Sequence, residues 1–153
     1  MRIVAVIIFV VAQVSNVAAA PNEGPSAEQL FRQFDLFGTW ATICEFPPSP
    51  TNPYVKITEP SPGVITEEHH LGSDYSVNHY KILSAEKQSD TRLAVEVIFN
   101  PGEADEERQK LVWEIRGKTR RTLSNQADKG PLRVQEGAAL PHGVTTPLLQ
   151  KCK

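Results

Sequence analysis

The 153-residue chain lacks most of the patterns that identify a function on sight. It has no Gly-x-Ser-x-Gly element, so no turn that exposes a nucleophilic serine is encoded. It has no glycine-rich loop for cradling phosphate and no βαβ rhythm to carry one. No internal repeat is visible. Basic residues are not in excess: 16 Lys and Arg stand against 18 Asp and Glu, which argues against nucleic acid as a partner. No Asn-x-Ser/Thr acceptor occurs, so glycosylation gives no hint of a eukaryotic secretory route. Long apolar runs are missing too. The run Ile3–Val11 is far shorter than the roughly 20 residues needed to cross a bilayer. Cysteine is scarce, with only Cys44 and Cys152.

What is present starts at the N-terminus. Arg2 precedes the apolar run, Gln13, Ser15 and Asn16 break it, and Val17–Ala20 supplies small residues. This is the order of a cleavable secretory signal. Pro21 disfavours a cut just before it, so cleavage is expected after Ala19. The expected organisation is a signal at 1–19, a flexible leader at 20–25 and a single β domain at 26–153, secreted or periplasmic. Arg2 is the only charge in the signal, so the mature chain sits one unit below the full chain's net −2. Export permits disulfides, and an even pair of cysteines in an exported chain predicts a Cys44–Cys152 bridge. Closing a loop of about 100 residues stabilises by roughly 4 kcal/mol in the chain-entropy picture.

The mature chain reads as mostly β. Ser26 caps a short helix, with Gln29 placed to complete a capping box, and Leu30, Phe31, Phe34 and Phe37 form one apolar face. Thr39–Phe46 reads as the first strand. Pro47, Pro48, Pro50 and Pro53 then predict a stiff, extended loop. Short alternating runs follow at Tyr54–Thr58, Val64–His70, Tyr75–Ser84, Arg92–Phe99, Glu107–Arg116, Thr119–Ser124 and Leu132–Gln135. Leu93, Val95, Val97 and Phe99 share one face, as do Leu111, Trp113 and Ile115. Gly117-Lys118 fits a two-residue turn that sets Arg121 opposite Glu114. Gly137–Lys153 reads as an irregular tail. The fold class is therefore all-β, a single small antiparallel barrel or sandwich with a short N-terminal helix.

The segment Phe34-Asp35-Leu36-Phe37-Gly38-Thr39-Trp40 resembles the start of a lipocalin or another calycin, where a short helical turn leads into Gly-x-Trp on the first strand. The resemblance implies an eight-stranded barrel with Trp40 as the plug at its closed end. It implies a late arginine packed over that tryptophan, with Arg133 in place to do so, and an open mouth that takes a small apolar molecule.

Candidate chemistry is sparse. Glu67, His69 and His79 would form a two-histidine, one-carboxylate metal set if the hairpin register put them on one face, and a one-residue slip would separate them. The plainer reading is a polar hairpin, with no metal and no cofactor. Lys118, Arg120 and Arg121 cluster near Arg108, Lys110 and Arg116, but acids intervene and no aromatics interleave. Trp113, Tyr75, Tyr80 and Tyr54 are the candidates for lining a ligand cavity. The expectation is a non-enzymatic exported barrel that binds a small apolar ligand. The rival is a cell-envelope accessory or structural protein that offers a sheet edge or its proline loop to a protein partner.

Overall fold

The computed structural model describes residues 24–140 and 142–153. The expected signal and most of the leader lie outside the described residues. The helix α1 spans Ala27–Gln33, and its capping box forms as the sequence implies. The Gln29 amide donates to Ser26 Oγ at 3.2 Å, while the Ser26 amide donates to Gln29 Oε1 at 2.8 Å. Leu30 and Phe31 are fully buried on its apolar face.

Eleven strands follow among the described residues. They are β1 (Gly38–Ala41), β2 (Tyr54–Ser61), β3 (Val64–His70), β4 (Asn78–Ser89), β5 (Arg92–Phe99) and β6 (Glu107–Arg116). Then come β7 (Thr119–Ala127), β8 (Leu132–Gln135), β9 (Ala138–Ala139), β10 (Val144–Thr145) and β11 (Leu149–Lys151). Neighbouring strands from β1 to β7 pair antiparallel in chain order. β11 then pairs with both β7 and β1 and closes the ring. The result is an eight-stranded antiparallel barrel, so the sandwich is excluded and the architecture is consistent with a calycin-like fold. Closure leaves the ring without an open sheet edge.

The barrel interior follows the alternation in the sequence. Leu93, Val95 and Val97 of β5 and Leu111, Trp113 and Ile115 of β6 are buried in one core with Val55, Ile57 and Ile65. Each such aliphatic side chain contributes roughly 1.5–3 kcal/mol by leaving water. The helix plugs one end. Phe31 meets Trp113 edge-on at 5.8 Å and Phe37 at 5.9 Å. Trp40 is fully buried beneath this lid, and its indole N–H donates to the Leu36 carbonyl at 2.8 Å. Gly117 takes φ +59° at the β6–β7 turn, which is the freedom the first turn position requires. Arg121 pairs in register with Glu114 as the turn predicts.

Three local expectations are corrected. The tail after Gly137 is not irregular: it contains β9 and β10, and its β11 is the strand that completes the barrel. The proline loop is compact rather than extended. Asn52, buried between its prolines, accepts from the Ile43 amide at 2.8 Å and donates to the carbonyls of Ile43, Phe46 and Pro47. The Ser49 and Asn52 backbones also pair with each other. Finally, Tyr75 does not begin a strand, because β4 starts at Asn78. Cys44 and Cys152 are bonded, with Cα atoms 5.5 Å apart. The bridge ties the start of the loop to the end of β11.

Candidate functional site

Two charged side chains meet in the otherwise apolar barrel core, and that is where chemistry gathers. Glu67 of β3 and Arg120 of β7 are both about 95 % buried and form a two-pronged ion pair. Arg120 Nη1 donates to Glu67 Oε2 at 2.9 Å, and Nη2 donates to Oε1 at 3.1 Å. A parallel guanidinium–carboxylate pairing of this kind is the strongest form of the contact. His69 Nε2 lies 2.5 Å from Glu67 Oε1. Burial opposes ionisation of Glu67, but the Arg120 and His69 contacts outweigh it and hold the carboxyl at about 2. Glu67 therefore stays an anion at any ordinary pH. An ionised carboxylate accepts only, so His69 Nε2 must carry the proton it shares with Glu67.

Arg120 also faces two aromatic rings, 4.3 Å from the Trp113 centroid and 5.7 Å from that of Trp40. Both distances fall within the range of cation–π attraction. Tyr80 stacks between His69, at 4.7 Å, and Phe99, at 5.2 Å. Burial and the nearby Glu67 charge push its hydroxyl well above the ordinary phenol range, so it is a neutral group in the wall.

Beside this floor lies a cavity of about 200 Å³. Pro53, Val55, Val134, Pro147 and Leu149 supply apolar walls, and Glu67, His69, Arg120, Asn125 and two threonines supply polar ones. It opens where β7 exchanges one neighbour for another, from β11 at Arg120 to β8 at Asn125. The switch of partners leaves a seam in the wall that the chain around Thr146 and Pro147 covers. Thr146 Oγ1 donates to the Thr122 carbonyl at 2.7 Å and fastens that cover.

Several sequence candidates take other places. Arg133 does not cover Trp40: it makes two hydrogen bonds to Glu107, at 2.7 and 2.8 Å, and Arg120 holds the position over Trp40. Trp113 is inside the barrel, packed against Phe31 and Arg120, and is not among the residues that line the cavity. Tyr54 donates to the carbonyls of Cys44 and Phe46 and so organises the proline loop. Tyr75 is 53 % exposed on the loop before β4. Of the four aromatics, only Tyr80 joins the polar floor.

The metal set is also broken up. Glu67 and His69 point inward, whereas His79 sits opposite Glu68 in the β3–β4 register and faces outward, 3.7 Å from that carboxylate. Among the described residues no cluster suited to a metal ion is present. The basic cluster is likewise dispersed: Arg108 pairs with Glu96, Arg116 and Arg121 share Glu114, and Arg120 is buried on Glu67. No helix of the described residues is long and apolar enough to cross a membrane.

Two residues central to the site were not assigned to it by sequence reasoning: Arg120 entered only as a member of the basic cluster, and Asn125 was not singled out. Arg120 had a signal: with Arg121 facing outward opposite Glu114, strand alternation sends Arg120 inward. Asn125 had none, because a register shift between Val112 and Trp113 adds a residue to β7 and reverses the alternation beyond Leu123. Comparison with known proteins adds no family to this geometry, since no family model, curated protein or solved structure matches the chain.

Proposed function

We propose that the protein is an exported binding barrel, lipocalin-like in plan, that carries a small and largely apolar ligand in the cavity beside the Glu67–Arg120 pair. The observation that carries this reading is the cavity itself: about 200 Å³ of space set against buried polar side chains, at the seam in the wall of a barrel plugged by α1 and Trp40. A concave, mainly apolar site with a few placed polar groups is the usual form of a ligand site. The volume sets the scale. A dry cavity of about 150 Å³ accommodates benzene, so this one suits a compact molecule and not a long acyl chain. The disulfide supports an oxidising compartment, in keeping with the N-terminal signal.

The test is a titration of the oxidised protein with compact apolar and aromatic molecules, read by thermal shift and tryptophan fluorescence, with decanoate as the long-chain control. Saturable binding is expected for compact molecules and is lost in Val134→Phe, which fills the cavity. Absence of saturable binding across the panel refutes the proposal. A second reading, a cell-envelope accessory protein, rests on Phe46, which is 58 % exposed on the loop that Asn52 holds rigid. A stable partner that co-purifies with the protein, and is lost in Phe46→Ala, favours that reading.

A further inference from the structure

We infer that the ligand carries an acceptor oxygen, a carbonyl or a carboxylate on a compact apolar body of roughly ten non-hydrogen atoms or fewer, and that Arg120 is the residue that holds it. This rests on the binding reading above and names the class of ligand.

Arg120 has donors to spare. A guanidinium carries five N–H groups in a rigid planar fork and no acceptor. One goes to each Glu67 oxygen, through Nη1 and Nη2. The Nε–H makes no hydrogen bond among the described residues. Nor is Nε walled off. Among the described residues, the buried side-chain polar atoms that are both covered and unpartnered are Thr42 Oγ1 and Asn125 Oδ1. Arg120 Nε therefore opens onto space, and the cavity is the space that Arg120 lines. The residue as a whole is 4 % exposed, so this opening is narrow and lies deep in the wall.

The direction of the donor is fixed. Two bonds to Glu67 and the Trp113 ring at 4.3 Å hold the guanidinium in place. A donor that need not reorganise loses little freedom on binding. The polar groups around it are committed elsewhere. The Glu67 carboxylate takes Arg120 Nη1 and Nη2 together with His69 Nε2. The Thr146 hydroxyl donates to the Thr122 carbonyl at 2.7 Å. Water in the cavity satisfies the Nε–H, but a wholly apolar guest expels that water and returns no acceptor. A guest with an acceptor oxygen takes the water's place. Carbonyl and carboxylate oxygens both accept from a guanidinium, so the acceptor is the shared chemistry and the experiment separates its two sources.

The experiment is calorimetry and saturation-transfer NMR on the oxidised protein with cyclohexanone, methylenecyclohexane and cyclohexanecarboxylate. The first two share one shape and differ only in C=O against C=CH2, and the third carries its acceptor as an anion. A net hydrogen bond to a charged group corresponds to about tenfold or more, which is the expected advantage of cyclohexanone over methylenecyclohexane. Cyclohexanecarboxylate binding tighter than cyclohexanone assigns the acceptor to an anion, and the reverse order assigns it to a neutral carbonyl. In the double variant Glu67→Leu, Arg120→Met, which leaves no buried charge, the advantage of the oxygen probes shrinks to within about twofold. Should that variant not fold, the ranking of the three probes in the unaltered protein decides. Methylenecyclohexane binding within twofold of the better oxygen probe overturns the acceptor inference and leaves the binding proposal standing. So does a double variant that keeps the full advantage, or binding of other compact molecules when none of these three binds. No binding of any probe, with decanoate and the wider panel also negative, overturns both.

Discussion

Replacing Arg120 with methionine tests the polar floor most directly. Methionine keeps an unbranched apolar stem but is shorter and uncharged, so Glu67 loses the guanidinium that neutralises it. Removing one partner of a buried ion pair costs about 3–5 kcal/mol, because the other charge is left in the interior uncompensated. Arg120 also lies over Trp113 at 4.3 Å, which places the expected loss in the upper half of that range. The size of the loss depends on pH, and its sign can be worked out. In the native protein Glu67 is depressed from 4.5 to about 2, so its contribution is complete above 4.5 and disappears as pH falls toward 2. In Arg120→Met burial acts on Glu67 with only His69 against it, so the carboxyl titrates higher and the variant relaxes by taking up a proton. The gap between native and variant therefore narrows by about 1 kcal/mol or more between pH 7 and pH 4. Urea denaturation followed by tryptophan fluorescence at both pH values measures it. The double variant Glu67→Gln, Arg120→Met should recover at least half of the loss at pH 7, since no buried charge remains. A loss below 1 kcal/mol at pH 7, a gap that does not change with pH, or a double variant as unstable as the single one refutes the account.

Three further outcomes follow from the same structure. Holding the Glu67 carboxyl at about 2 instead of 4.5 corresponds to roughly 3 kcal/mol of native stability, present above pH 4.5 and lost between 4.5 and 2; an acid titration of Glu67→Gln should lack that component. Cys152→Ser should cost about 4 kcal/mol in urea, and because β11 closes the ring the loss should reach the barrel as well as the tail; native stability within 1 kcal/mol would show the bridge to be irrelevant. Asn52→Ala removes the side chain that collects three loop carbonyls and one amide, so limited proteolysis should cut within residues 43–52 at least tenfold faster, and an unchanged cleavage pattern would show that the prolines alone set the loop.

Much of the fold could be read in the chain because it depends on local periodicity. The capping box at Ser26 and Gln29, the alternation of Leu93, Val95 and Val97, the Gly117 turn and the Arg121–Glu114 pair all rest on spacings of two to seven residues. The site was less legible because its members lie far apart in sequence. Glu67 and Arg120 are 53 residues apart and meet only when the barrel closes. Which arginine covers Trp40 depended on where β8 turns away from β7, so Arg133 went to Glu107 and Arg120 took the place over the ring. His79 was separated from Glu67 by a register that alternation could not choose.

By itself, the sequence determined the class of the domain, the start of its first strand at Gly38-Thr39-Trp40, and the partnership of Cys44 with Cys152, because no other cysteine competes. Only the tertiary structure decided that the sheet closes as a barrel, that the tail supplies the closing strand, and that the cavity sits between β3, β7 and the chain that covers the seam where β7 changes partners. The physical reason is the same in each case. Local pattern says which side chains face inward, but long-range pairing decides which inward side chains meet, and one added residue in β7 was enough to bring Asn125 into the wall.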